Sequence, residues 1–545
     1  MSIAGDRARR RRRQEVLDGS LAAARRLLAD GGVESVTMLA VSRAVGIAGP
    51  GLYRYFPSRA DLLRATYRNV LDELLAHVRA AAARQPEGDR AAEVQALTNA
   101  LFAWCVAHAD EFDLLLGAGL RLADEGAPVG GESGGGTFYE VAALAFPAVA
   151  GQWADGAARF DDPVPPGSEA ELTARRDALL AVFPDLPRDV PLALVAAVRV
   201  AWQRTFGLLC LTVYDHVAEP DGPVRRGYIT ALLDDLNARN LALFGMTVSP
   251  AAVLEPVFAD GDVVVLAPRD AGPGTAGVPG TAASGAGAVG APGGRRARLR
   301  RELLADALSS ARRLLDEHGT PGVTMQAVAK DVGIAAPGLY RYFDGRPGLL
   351  HATHQHVVDE LLAAVERARA RQAPGDLSAQ AHAVVHTLFR WCLAHRNEYD
   401  LLMSGRWRIT RPAAHAAGGR PSLMTLDRVG SVFTPIALGW WQAGCPVVPD
   451  DEISPALVPH LRAVRDAMSA LPGFPAGVPL GLLHSMNLAS ARLWGLLTLT
   501  VYGHVGEAGP ASSARLDALV HDLVADLLAV FGQEVSDGVV PAPRI

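Results

Sequence analysis

The sequence predicts an all-α protein built twice on one plan, and three observations carry that prediction. Leu and Ala crowd long stretches with helical periodicity, while β-branched runs bounded by turns are scarce. Half of the 545 residues are apolar and a fifth are charged, so the chain has enough apolar side chain for several cores and is not disordered throughout. Third, the chain repeats itself, and internal repeats decide architecture before any single element does.

The repeat is read from fixed offsets. Val36-Thr37-Met38 returns as Val323-Thr324-Met325, the run Gly51 to Phe56 (GLYRYF) returns from Gly338 to Phe343, and Trp104-Cys105 returns as Trp391-Cys392, all 287 residues on. Trp153 aligns with Trp441, and Leu211 to His216 with Leu499 to His504, at an offset of 288. The extra residue is expected in the loop at 126–136 or its counterpart near 411–420. The two copies cover about 7–250 and 295–535. Between them, residues 267–294 are dominated by Gly, Ala and Pro and read as a flexible linker. Two GxGxxG matches in it, at Gly272 and Gly285, lack the strand and helix that a dinucleotide fingerprint requires. No cofactor is expected from them.

Within each copy the elements follow in order. Leu17, Leu21, Ala24 and Leu28 make one face of a first helix, repeated by Leu304, Leu308, Ala311 and Leu315. Basic arms precede both, Arg7 to Arg13 and Arg295 to Arg301. Thr37 is a good N-cap for a short helix through about Val45, Gly46 suits a left-handed turn, Ile47 is an apolar plug, and a second helix starts near Gly49-Pro50. This is a helix-turn-helix, with Ala40 small enough for close packing and Leu52 pointing inward. Near the end, Leu516, Leu519, Leu523, Leu527 and Val530 form a stripe that stops at Phe531-Gly532.

Charge is distributed as this organisation requires. The formal net charge is −6, yet residues 1–60 carry 11 basic and 5 acidic side chains, and residues 295–347 carry 10 and 6. Two basic modules on an acidic body point to local contact with phosphate. Cys105, Cys210, Cys392 and Cys445 form no CxxC pair, so neither zinc nor a disulfide framework is implied, and a reduced cytoplasm is the expected compartment. Apolar runs near Val195 and Leu496 are interrupted by Arg199 and Arg492, so no bilayer span is expected. No nucleophile elbow, phosphate loop, HExxH or metal-spaced His/Cys cluster occurs, so no enzyme and no metal site is expected.

The run from Val36 to Phe56, followed by Pro57-Ser58-Arg59 and Leu62-Leu63, resembles the DNA-binding domain of tetracycline-repressor-like (TetR) transcriptional regulators, and it occurs twice. The resemblance implies a three-helix DNA-binding domain at 14–60 and 301–347. It also implies a helical ligand-binding and dimerisation domain at 61–250 and 348–535. It implies double-stranded DNA as partner, a small-molecule effector, repression as the usual outcome, and dimers. Tyr53 and Tyr340 match a phosphate-contacting tyrosine, Thr37 and Thr324 a helix-start residue with the same task, and Arg59 and Arg346 a basic residue that meets the backbone. Such contacts position the head without reading sequence. Gly49, Pro50, Gly51, Arg54 and Tyr55, with Ala336, Pro337, Gly338, Arg341 and Tyr342, match base-facing or adjacent positions; Tyr55 and Tyr342 suit packing equally well. The Arg pair are the leading readers, because a guanidinium fork pairs with guanine O6 and N7.

From Val45 to Phe56 against Val332 to Phe343, eleven of twelve residues are identical. Near-identical readers predict near-identical half-sites, with one difference where Leu39 is replaced by Gln326, which can pair with adenine. Two copies in one chain predict an intramolecular pseudo-dimer, with Leu232 to Phe244 packed on Leu516 to Phe531; a homodimer of chains is the competing arrangement. Candidate walls of an effector pocket are Trp104, Trp153, Trp202, Tyr214, His216, Trp391, Trp441, Trp494, Tyr502 and His504, although aromatics at helical spacing also fit an ordinary core. The rival function is a small-molecule-binding or interaction protein whose heads no longer bind DNA.

Overall fold

The computed structural model describes residues 3–123, 137–161, 164, 168–214, 216–217, 223–258, 295–403, 425–469, 474–504 and 511–536. The expected linker at 267–294 and the expected insertion loops at 126–136 and 411–420 lie outside these. Among the described residues every regular element is helical, as the periodicity predicts.

Copy one runs α1 (Ile3–Ser35), α2 (Met38–Val45), α3 (Gly49–Leu52), α4 (Arg59–Ala83), α5 (Arg90–Ala107), α6 (Ala109–Ala123), α7 (Thr137–Ala143), α8 (Phe146–Ala154), α9 (Glu169–Val182), α10 (Leu192–Val213) and α11 (Pro223–Leu243). Copy two runs α12 (Arg295–Gly322), α13 (Met325–Val332), α14 (Ala336–Leu339), α15 (Gly345–Ala370), α16 (Leu377–Ala394), α17 (Arg396–Met403), α18 (Thr425–Gln442), α19 (Val458–Ser469), α20 (Leu480–Val501) and α21 (Ala511–Ala529). The basic arms are not separate segments: both continue helix one toward its N-terminus. Helix one is broken near its end, at Gly31–Gly32 and at Gly319. Where copy one breaks into α7 and α8 ahead of Pro147, copy two runs on as α18 with Pro435 inside it.

α4 and α15 are the spines. Each starts in the small head and runs into the body, packing along α5 or α16. The head is fastened to the body by a pseudo-symmetric clamp. Arg25 of α1 bonds to Glu73 on α4 and to Glu111 on α6, the latter at 2.5 Å; Arg312 of α12 does the same with Glu360 and Glu398. Bifurcated guanidinium–carboxylate geometry of this kind is directional, so it fixes helix one relative to both body helices. Glu73 is held below the usual carboxylate range chiefly by its hydrogen bond from Arg25.

The copies meet through their penultimate helices, α10 against α20. At the crossing a Cβ built on Gly207 would stand 1.6 Å from the Ala491 carbonyl oxygen, and one on Gly495 would stand 1.9 Å from that of Gln203. Only glycine lets two helix backbones approach this closely. The expectation that the terminal helices pack on each other is corrected here. α11 packs on α10 and α5, and α21 on α16 and α20. Each reaches across only to flank the other copy's penultimate helix: Asn487 donates to the Tyr228 hydroxyl at 2.7 Å, and Arg199 donates to Asp522 at 3.3 Å. The apolarity of α10, which by length and composition suffices to cross a membrane, goes into this packing, with 61% of its most apolar window buried.

Candidate nucleic-acid interface

Each head is assembled by local chemistry. Thr37 Oγ1 accepts from the Ala40 amide at 3.1 Å, and Thr324 Oγ1 accepts from that of Ala327 at 3.1 Å, so both are N-caps. Gly46 and Gly333 close α2 and α13 in the left-handed region, at φ 73° and 77°. A Cβ at either position would strain the turn. The next amides, of Ile47 and Ile334, return to the Ser42 and Ala329 carbonyls, which ends the helix and swings the chain into α3 or α14. Pro50 and Pro337 fall in the first turn of those helices, where no amide is required.

The same turn divides inside from outside. Leu52 and Leu339 are fully buried, and Phe56 and Phe343 nearly so, and the short helix packs on α2 or on its counterpart α13. The outward face carries Pro50, Arg54, Pro337 and Arg341, all exposed, with Gly49, Gly51, Ala336 and Gly338 half-buried beside them. Tyr53 and Tyr340 keep 53% and 59% of their surface although they are large and aromatic. Leu39 is likewise 55% exposed at the start of α2, and Gln326 occupies the matching exposed place in copy two. Exposed apolar rings and leucines flanking exposed arginines form a surface suited to sugar, methyl and phosphate contact.

Two pairs of the expected contact residues are engaged within the head. Arg59 donates from Nε to the Val36 carbonyl at 2.8 Å and from Nη2 to the Val33 carbonyl at 2.8 Å; Arg346 makes the same pair with Val323 and Thr320. These guanidiniums close the end of helix one, because the broken helix leaves carbonyls without intrahelical partners. Tyr55 and Tyr342 are half-buried and pack on the head core, and Arg300 of α12 lies 5.6 Å over the Tyr342 ring.

The expected pocket aromatics are scattered. A cavity of about 60 Å³ lies in copy one among α4, α5, α7, α10 and α11, and of the ten residues only Trp202 lines it. Trp104 and Trp391 are buried against His108 and His395, with ring centroids 4.5 and 4.6 Å apart. Trp153 is half-buried at the edge of a copy-one cluster, Trp441 is half-buried in copy two, and Trp494 is buried in the core shared by the copies. The Tyr214 and Tyr502 hydroxyls donate to Asp113 and Asp400. His504 Nε2 reaches the Leu116 carbonyl of the other copy at 3.1 Å, whereas both ring nitrogens of the equivalent His216 are buried without a hydrogen-bond partner. Burial pushes both imidazoles down to about 4. Asn240, Thr98 and Thr205, which do line the cavity, went unpredicted. Aligning the copies position by position would have marked them, since copy two places Leu527, Val385 and Leu493 there. Among the described residues no group of His, Cys, Asp or Glu is arranged to hold a metal ion.

Comparison with known proteins fits this geometry. Residues 21–66 and 307–353 both match the family "Bacterial regulatory proteins, tetR family". The HTH-type transcriptional regulator Rv1816 of Mycobacterium tuberculosis (strain ATCC 25618 / H37Rv) is 25% identical over 213 residues, 39% of this chain and 86% of that protein. The HTH-type transcriptional regulator BetI of Burkholderia mallei (strain NCTC 10229) is 38% identical over 91 residues, 17% of this chain and 45% of that protein. Among solved structures, a TetR family transcription regulator from Marinobacter aquaeolei VT8 is 22% identical, covers 35% of this chain and 97% of its own, and has a TM-score of 0.21. The family's DNA-binding domain is matched once in each half, so the chain carries two TetR-family DNA-binding domains in tandem and is similar to transcriptional regulators.

Proposed function

We propose that the chain is a ligand-responsive repressor working in the cytoplasm as a single-chain pseudo-dimer, its two heads reading the halves of one near-palindromic operator. The observation that carries this reading is the α10–α20 crossing, where Gly207 and Gly495 meet about a pseudo-twofold axis. A twofold arrangement of near-identical readers is what a palindromic duplex accepts.

The charges around the crossing support pairing within the chain. Arg239 of copy one corresponds to Asp526 of copy two, and Arg199 corresponds to Asn487, while Arg204 and Arg492 are equivalent. Arg199 bridges Glu171 and Asp522, and Arg492 pairs with Asp526. His484 lies between Arg239 and Asp235. Two copy-one faces brought together would double Arg199, Arg204 and Arg239, leaving cations in excess. Two copy-two faces would double Asp522 and Asp526 and leave anions in excess. Unlike faces balance, and like faces carry a buried charge penalty. Burial already pushes Arg204 down to about 10.

A route from body to head follows from the same contacts. Glu111 on α6 holds helix one through Arg25, and Leu116 on that same helix receives His504 of the other copy. A shift of α6 on ligand binding therefore bears on the head and the crossing together.

The test is a fluorescence-anisotropy titration of the full chain against duplex DNA from upstream of its own coding region at two salt concentrations. Specific binding that weakens steeply with salt is expected, with Arg54→Ala plus Arg341→Ala removing discrimination worth about 1 to 3 kcal/mol per lost base contact. Absent or salt-insensitive binding would favour a ligand-binding or interaction protein whose heads no longer read DNA.

A further inference from the structure

The two bodies differ where the family resemblance makes them equivalent, and the difference concerns the copy-one cavity. Its walls are aliphatic and aromatic except at Thr98, Thr205 and Asn240, and no ionisable side chain lines it. Asn240 is 5% exposed. Its orientation follows from its neighbours. The Thr205 hydroxyl donates to the Ala201 carbonyl at 2.8 Å, so its oxygen is left to accept. The Asn240 Nδ2 group donates to that Thr205 oxygen at 3.1 Å and to the Ala201 carbonyl at 3.4 Å. Both neighbours being acceptors, the amide nitrogen must face them, and Oδ1 is the end left over. It is buried and has no hydrogen-bond partner. A buried amide oxygen without a donor costs on the order of 1–3 kcal/mol, which a ligand bearing a donor would recover.

Copy two has lost each of these features. Thr98, Thr205 and Asn240 become Val385, Leu493 and Leu527, Ala145 becomes Phe433, and Val198 becomes Met486. Val385 and Leu493 are buried, and Phe433 and Leu527 pack on the copy-two core. Four exchanges run the other way, Trp202 to Ser490, Leu97 to Val384, Val94 to Ala381 and Ala142 to Gly430, but none restores the amide or the hydroxyl pair.

We propose that the chain takes one effector rather than two, bound in copy one alone, and that this effector is a small, uncharged, largely apolar molecule presenting a hydroxyl or N–H donor to Asn240 Oδ1. The inference rests on the reading of the body as a ligand-binding domain and adds its chemistry and stoichiometry. Charge is excluded because the lining offers no counter-ion, and an unpaired ion would not leave water for such a site. Copy two, without the amide, then acts as a scaffold that carries the second head.

The experiment uses the full chain without DNA and a pair of size-matched probes, phenol with a donor and toluene without one, titrated by calorimetry. Phenol is expected to saturate at one per chain and to bind at least about threefold more tightly than toluene, the range of one neutral hydrogen bond. Asn240→Leu, which installs the copy-two residue, erases that preference. Ala145→Phe, which fills the cavity without touching the amide, weakens both probes and serves if the first variant folds poorly. Saturation at two per chain, no binding of phenol, equal affinity for both probes, or a preference that survives Asn240→Leu overturns the proposal. Because no DNA is present, failure here leaves the DNA-binding result standing, and a chain that binds phenol but no DNA separates the two in the other direction.

Discussion

At the scale of the residue, the local chemistry of the turn was legible and the long-range use of a side chain was not. Thr37 as N-cap, Gly46 as a left-handed terminator and Pro50 in the first turn follow from the conformations those residues favour, and neighbours in sequence decide them. Arg59 could not be read that way. Its partners, the Val33 and Val36 carbonyls, lie 26 and 23 residues upstream, and only the break in helix one at Gly31–Gly32 exposes them. The two arginines of a head therefore separate in experiment. Arg59→Ala should lower stability by about 1 kcal/mol or more through two lost, partly buried bonds, whereas Arg54→Ala, at an exposed position, should leave the urea midpoint nearly unchanged and weaken DNA binding. Chemical denaturation alongside anisotropy checks both.

His216 and His504 give a second residue-scale outcome. Their folded values near 4 lie below the ordinary 6.5, so above about pH 6.5 they add no pH dependence. Between 6.5 and 4 the unfolded chain takes up protons that the folded chain refuses. Stability should fall as pH drops through that window, by on the order of 2 kcal/mol per histidine. Denaturant midpoints at pH 7 and pH 4.5 measure the loss, and a His216→Gln plus His504→Gln variant should show a shallower slope.

At the scale of the element, the helical stripes placed nearly every segment because periodicity is a property of one helix. Which helix meets which is a property of surfaces, and the interface was misassigned for that reason. The stripe of Leu519 and Leu523 fits a partner as well as it fits its own copy, and in α21 it is buried largely on α16 and α20. The decisive signal was smaller: a glycine at matching positions of two otherwise apolar helices. Gly207→Leu should force the α10–α20 crossing apart and lower the unfolding free energy by more than the 1–3 kcal/mol typical of core overpacking. Gly430→Ala is the control, since nothing lies within 4 Å of its added Cβ inside α18, and there a gain of up to about 1 kcal/mol is expected. Urea unfolding of the two variants beside the parent chain distinguishes a close-contact glycine from an incidental one.

At the scale of the whole molecule, the duplication and the two heads were plain from repeat and motif, while the inequality of the bodies emerged only when equivalent positions were placed in one cavity. Both copies belong to one chain, which raises the effective concentration of each at the other. This makes pairing of the copies nearly independent of chain concentration. The most direct test is therefore the mass and footprint of the protein–operator complex, taken together by sedimentation and nuclease protection. One 57.3 kDa chain on one duplex, protecting two half-sites about one helical turn apart, is the predicted result. Two chains on that duplex, or a footprint of a single half-site, would contradict it.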